Sequence, residues 1–327
     1  MTGPFRYTSP EPPEAATGVV ADVYAQLATD FGIDRATTFV VLSAAPPLLA
    51  STWAVMRESL LAGQASRTGK EVVAAGVSLA NRCPFCVTAH TVLLHATGDH
   101  ALAERIARGE QPEDSRNRQL LAWDKDMSTP QPFPSGEAPE YIGTALAFHF
   151  INRIVSSLLT EEMLPGGAEK YRLVRSVAGR SLARTVRREL VPGESLALLE
   201  TEGAAPVWAA DTPIGTAFGA LRAAAHLGAG LLSDEDAALV RASVAAWDGV
   251  APLPLHGEEL PARAERPGAR LALLAARAPY RITDEDVAAW LAPPFTDHCL
   301  VHLIAFGAIC AVERIEATLT ARTEEHA

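Results

Sequence analysis

The stretch NRCPFCVTAH, residues 81–90, decides how the rest of the chain is read. Cys83 and Cys86 stand three residues apart, and His90 follows four after the second cysteine. Pro84 fits the first turn of a helix, where its missing N–H costs nothing. Cys86 and His90 then stack one turn apart on a single helical face, with Cys83 at the helix start. A second helix is predicted just upstream, over 68–80, and ends near Asn81-Arg82. A bend there makes an antiparallel pair. Glu71 lies about 13 Å before the bend and His90 a similar distance after it, at 1.5 Å rise per residue. The carboxylate and the imidazole are therefore expected at one level, facing each other.

Those four side chains carry a definite chemistry. A thiol is nucleophilic only as the thiolate, and a free cysteine with a pKa near about 8.5 is mostly protonated at neutral pH. A helix N-terminus stabilises the anion through its unpaired N–H groups, and Arg82 adds positive charge nearby. His90 can move a proton, and Glu71 can orient it or take it onward. A second thiol three residues away can close a disulfide with an oxidised partner. Two other readings use the same residues. Cys83, Cys86, His90 and Glu71 form a four-ligand zinc set, although structural zinc rarely takes a carboxylate. Alternatively, the spacing is incidental and the thiols are buried and inert.

Outward from this stretch the chain is helical throughout. Apolar residues recur at three and four spacing in a background of Ala, Leu, Arg and Glu. Helices are predicted over 17–30, 46–63, 68–80, 84–98, 100–109, 114–126, 138–160, 168–188, 213–230, 233–247, 268–278, 283–291 and 296–321. Ser233 and Thr283 precede acidic first turns as N-caps do. No alternating β-branched run argues for a sheet, so the expected class is all-α. Proline-rich segments at 128–139 and 250–268 read as loops, and 189–206 as a linker.

The 327 residues carry a formal net charge of -11, which disfavours nucleic acid and anionic membrane as partners. The opening residues are polar and proline-rich, unlike a secretory signal, and the longest apolar run, Leu303 to Val312, is too short to span a bilayer. Four cysteines in such a chain are not a disulfide scaffold. A cytoplasmic location is expected, with no bound cofactor and no metal.

The halves also align with each other. At an offset of 165, WAVMRESLLAG (53–63) lies on FGALRAAAHLG (218–228), and GKEVVAAGVSLANR on DEDAALVRASVAAW. Near the ends, Arg153 and Arg314 each begin an Arg-Ile step. In this register Glu71 meets Asp236, Cys83 meets Asp248, Cys86 meets Ala251 and His90 meets Leu255. A diverged duplication is expected: a catalytic domain over 1–165, a basic helix and linker over 166–206, and a degenerate repeat lacking the cysteines over 207–327.

The run KEVVAAGVSLANRCPFCVTAHTVLLHATGD resembles the core of the AhpD-like alkylhydroperoxidases of the carboxymuconolactone decarboxylase superfamily. Glu71, Cys83, Cys86, His90 and the helix-ending Gly98 match its pattern in identity and spacing. The whole chain is similar to the longer, two-part members. The resemblance implies an all-helical, oligomeric, often trimeric or hexameric enzyme. It implies that Cys86 attacks a hydroperoxide, Cys83 resolves the product, and His90 relays a proton towards Glu71, through a water. An external thiol or dithiol protein would then reset the pair. Phe85 departs from the pattern, because members with the best-defined peroxidase activity carry a histidine between the cysteines. The superfamily's lactone decarboxylases generally lack the cysteine pair. Two alternatives stay open: a redox sensor or scaffold that never turns over, and a cofactor-free decarboxylase or isomerase using Glu71 and His90.

Other residues have plainer readings. His149 and Arg153 could line a pocket beneath Cys86, but a hydrogen-bonded core pair is the default. Cys299 and Cys310 read as small buried apolar residues. The basic run from Lys170 to Arg188 is expected to pair with the chain's own carboxylates or a neighbouring subunit.

Overall fold

The computed structural model describes residues 3–125, 127, 129–161, 167–168, 171–249 and 260–323. Among them the chain forms fourteen helices and no strand. They are α1 (Gly18–Gln26), α2 (Thr37–Val40), α3 (Pro46–Met56), α4 (Arg67–Ala80), α5 (Pro84–Thr97), α6 (His100–Ala107) and α7 (Ser115–Lys125). Then follow α8 (Ala138–Leu158), α9 (Arg172–Val186), α10 (Pro213–His226), α11 (Asp234–Ala245), α12 (Pro267–Arg277), α13 (Asp284–Trp290) and α14 (Asp297–Thr323). Every helix read from periodicity is present. The single turn α2 is additional, because four residues are too few to show a period. Two predicted helices finish in a wider turn, with Gly32 N–H donating to Leu27 O and Ala62 N–H to Arg57 O.

The helix ends follow local chemistry. Ser66 caps α4 by accepting from Gly69 N–H, and Ser233 caps α11 by accepting from Asp236 N–H. Thr283 and Asp286 form a reciprocal capping box on α13. Gly98 closes α5 at φ +107, a conformation that glycine adopts without strain.

Packing places α4 at the centre of the first half. It lies against α5, α7 and α8, and every residue from Gly69 to Ser78 is buried. Across the molecule α3 packs on α10 and α8 on α14, so elements aligned by the internal register meet each other. One apolar cluster runs through both halves, from Val23 to Leu319. Trp53 is fully buried in it, edge-on to Phe39 at 5.6 Å; a large apolar side chain buried in this way contributes about 1.5–3 kcal/mol.

Two features were outside the reach of the sequence reading. The basic helix α9 matches the helix predicted over 168–188, but its seat directly on α5 was not foreseen. Gly179 makes the approach feasible, because a Cβ there would meet His95 Cβ at 2.5 Å and Val92 O at 2.9 Å. Arg175 pairs with Glu104 and Arg188 with Asp30, so these basic residues are satisfied within the chain. Lys170, also in the basic run, lies outside the described residues. The second feature is the N-terminal segment, which runs antiparallel to the end of α8. Arg6 N–H donates to Leu158 O and Thr160 N–H to Pro4 O, both at 2.9 Å.

The span Asp297–Leu319 of α14 is long and apolar enough by composition to cross a bilayer, longer than the run read from sequence. Its most apolar window is 72% buried inside the molecule, the setting of a core helix, which passes the same test.

Candidate active site

The turn between α4 and α5 sets the site. Arg82 adopts φ +55, a left-handed conformation uncommon outside glycine, and the chain reverses there. Cys83 N–H donates to Ser78 O at 3.0 Å, which ties the start of α5 to the end of α4. Cys83 is the N-cap of α5 and Pro84 opens its first turn. The two cysteines are joined in a disulfide with their Cα atoms 5.3 Å apart, so the structure shows the oxidised pair. Cys86 N–H points back at Cys83 Sγ, 3.4 Å away.

Glu71 and His90 meet as the antiparallel geometry requires, with His90 Nδ1 2.7 Å from Glu71 Oε2. Both are buried. The other carboxylate oxygen, Oε1, accepts from Arg67 Nε at 2.9 Å. Burial alone would raise the Glu71 pKa, but the charge of Arg67 and the bond from His90 outweigh it and hold it below the usual carboxylate range. An ionised carboxylate only accepts hydrogen bonds, so Nδ1 of His90 is the donor to Glu71. The Phe148 ring stands edge-on to the imidazole at 4.3 Å and fixes its plane.

Cys86 and His90 share a cavity of about 370 Å³. Its walls are mainly apolar: Phe39, Met56, Leu60, Phe148, Ile151 and Leu182 among them, with Arg35 as a charged lining residue. Leu182 comes from α9, so the basic helix forms part of the wall. Cys83 lines a different cavity, of about 320 Å³, together with Arg6, Arg82 and Tyr280.

All four sequence-predicted residues, Glu71, Cys83, Cys86 and His90, therefore converge. The zinc alternative needs Glu71 and both sulfurs on one ion. Here the Glu71 oxygens are engaged by His90 and Arg67, and the sulfurs by each other. His149 and Arg153 do not line the cavity of Cys86. His149 Nδ1 accepts from Asn81 Nδ2 at 3.1 Å, and Arg153 Nε donates to Ala276 O at 2.7 Å, bridging to α12. Burial, with Arg153 adjacent, pushes the His149 pKa well down, so the ring is neutral. Cys310 is buried, and burial raises its thiol to about 12. Sequence reasoning missed Arg67, although its place one turn before Glu71 was a readable signal. Nothing local marked Leu182 or Arg6, which arrive through long-range packing.

An all-helical fold with a cysteine pair at a helix start, backed by a buried His-Glu couple, defines a class of thiol-bearing helical protein. The sequence profile described as the carboxymuconolactone decarboxylase family matches residues 47–108, which span α3 to α6. An alkyl hydroperoxide reductase of Mycobacterium tuberculosis is 40% identical over 334 residues, covering 97% of this chain and 96% of the relative. The chain belongs to the carboxymuconolactone decarboxylase family, in its AhpD-like branch. No solved structure matches it.

Proposed function

We propose that this chain is a thiol-dependent hydroperoxide reductase of the cytoplasm. The observation that carries the reading is the placement of Cys86 and His90 on one apolar cavity, with Cys83 within disulfide reach. The name of the mycobacterial relative supports it. In the reduced enzyme, His90 Nε2 takes the Cys86 proton, and the resulting imidazolium is held by ionised Glu71. The Cys86 thiolate attacks the outer oxygen of ROOH. The O–O bond breaks, RO⁻ leaves and takes the proton as ROH, and Cys86 becomes a sulfenic acid. The Cys83 sulfur attacks that sulfenic sulfur, releasing water and forming the disulfide. Two equivalents of thiol then restore both cysteines, and the overall change is ROOH + 2 R′SH → ROH + H₂O + R′SSR′.

The second half is, on this proposal, a degenerate copy that completes the core and helps form a homo-oligomer. Contacts of α3 with α10 and of α8 with α14 support the copy, since a pseudo-two-fold brings like elements together. The correspondences Cys86–Ala251 and His90–Leu255 fall outside the described residues.

The test is turnover of an organic hydroperoxide with a dithiol reductant. The expected result is many equivalents consumed, with Cys86→Ser inactive and Cys83→Ser limited to one equivalent. Oxidation that stops at one equivalent in the unaltered protein would make it a sensor. A lactone decarboxylation that survives Cys86→Ser would make it a cofactor-free enzyme.

A further inference from the structure

The disulfide faces two cavities of opposite character. Cys86 lines the apolar one, Cys83 the polar one, and Phe85 contributes to both walls. The polar cavity is assembled from three distant parts of the chain. The antiparallel N-terminal segment brings Arg6, the turn before α5 brings Arg82, and the turn after α12 in the second half brings Tyr280. Arg6 donates to the carbonyls of Ser156 and Ile282 and to the Tyr7 hydroxyl. Arg82 is exposed, lies over the Tyr280 ring with 5.6 Å to its centroid, and donates to its hydroxyl. Among the described residues neither guanidinium has a carboxylate partner. Glu161 is the one acid among the described lining residues, and with Arg6 and Arg82 opposite it these side chains carry net positive charge. Cys83 itself is only 1% exposed, below the surface that a folded protein partner would press on.

We infer that this second cavity is the entrance for the reductant, and that it takes a small anionic thiol, which attacks Cys83. The inference rests on the disulfide cycle proposed above. In the first step the incoming thiolate bonds to Cys83 Sγ, the Cys83–Cys86 bond breaks, and its electron pair leaves on Cys86 Sγ, which lies on the His90 side and takes a proton there. A second thiolate attacks the sulfur of the first reductant molecule in the mixed disulfide. It releases Cys83 as a thiolate that picks up a proton, and R′SSR′ departs. The oxidant and the reductant therefore reach different sulfurs from different sides, and Arg6 and Arg82 select the charge of the second.

The test starts from the fully oxidised protein and adds no peroxide. Reduction rates are compared for 2-mercaptoethanesulfonate and 2-mercaptoethanol, corrected for thiolate fraction. The sulfonate is expected to react about tenfold faster, an advantage of the size electrostatic steering provides. N-Ethylmaleimide quenching followed by fragment mass spectrometry should find the adduct on Cys83 and the alkyl group on Cys86. Arg82→Asn, which suits the left-handed backbone at this position, should remove most of the preference. Raising salt from about 0.01 to about 1 M should do the same in the unaltered protein. Equal rates for the two thiols, an adduct on Cys86, a preference indifferent to both salt and Arg82→Asn, or far faster reduction by a dithiol protein would overturn the inference. None of these outcomes touches the peroxide step. Conversely, a protein that never consumes peroxide can still pass every arm.

Discussion

Helices α4 and α11, which the proposed duplication pairs, teach what separates a working site from its framework. α4 is enclosed by α5, α7 and α8, and its Glu71 is completely buried against His90 and Arg67. α11 packs mainly on α12 and α14, and only Ala237, Val240 and Val244 are buried. The residue in register with Glu71 is Asp236, half-exposed in the first turn and paired with Arg266 at 3.0 Å. A carboxylate in water is an ordinary anion. The same group in a dry interior, held ionised by one arginine and one imidazole, can orient a proton transfer. The alanine-rich helical frame is common to both halves. The enclosure is not.

A like contrast separates Arg57 from Arg222, its partner in the register. Arg57 is buried and serves Asp30, Glu58 and Glu194 together. Arg222 is 25% exposed and serves Glu313 and Glu316. Arg57→Ala should cost about 3–5 kcal/mol, because it strands buried carboxylates, whereas Arg222→Ala should cost about 1 kcal/mol or less. Denaturant midpoints for the two variants measure the difference, and equal losses would erase the contrast.

The next effect is on rate. Glu71→Gln is expected to lower peroxide turnover about 100-fold by weakening the relay, and Asp236→Asn to leave it within about twofold, since surface changes of this kind have small effects. The pH dependence has a defined sign. The Glu71 pKa is depressed in the folded state, so its stabilisation is present above the unfolded value near 4.5 and is lost as pH falls through the folded one. The stability gap between the unaltered protein and Glu71→Gln should therefore close in acid and stay constant above it, as thermal unfolding at several pH values would show.

Smaller still is the effect at the α5–α9 crossing. Gly179→Ala should cost about 2 kcal/mol through the clash with His95 and Val92. Gly230→Ala, in the second half with nothing within 4 Å of its added methyl, should be close to neutral. The last effect concerns Asp124, buried with no hydrogen-bond partner for either oxygen among the described residues and with its carboxyl pushed well up by burial. A raised folded pKa costs stability as pH climbs past the unfolded value near 3.8. Asp124→Asn should therefore gain more than about 1 kcal/mol relative to the unaltered protein between acid and neutral pH, as thermal unfolding across that range would show.

Most of this architecture was legible locally. Periodicity marked thirteen of the helices, and the caps Ser233 and Thr283 stand where their side chains predicted. The four-residue site was readable because its spacing is set by two helices and one turn. What escaped was set by tertiary packing. The basic residues of α9 pair with the chain's own carboxylates as their charge implies, with Arg175 on Glu104 and Arg188 on Asp30, but nothing local shows that Gly179 and Leu182 seat that helix on α5. Arg6 lies far from Cys83 in sequence, and only the antiparallel run beside α8 brings it near. No window of sequence encodes such a contact, since loop closure and burial elsewhere decide it.

Phe85, the residue that departs from the family's pattern, lines both cavities. On the proposed cycle it acts as a bulkhead. Fresh reductant on one side stays away from the sulfenic acid on the other, so each peroxide is charged to the internal disulfide and not to a stray mixed disulfide on Cys86. Trading the ring for alanine would let the chambers leak into each other, and thiol adducts on Cys86 would build up during turnover.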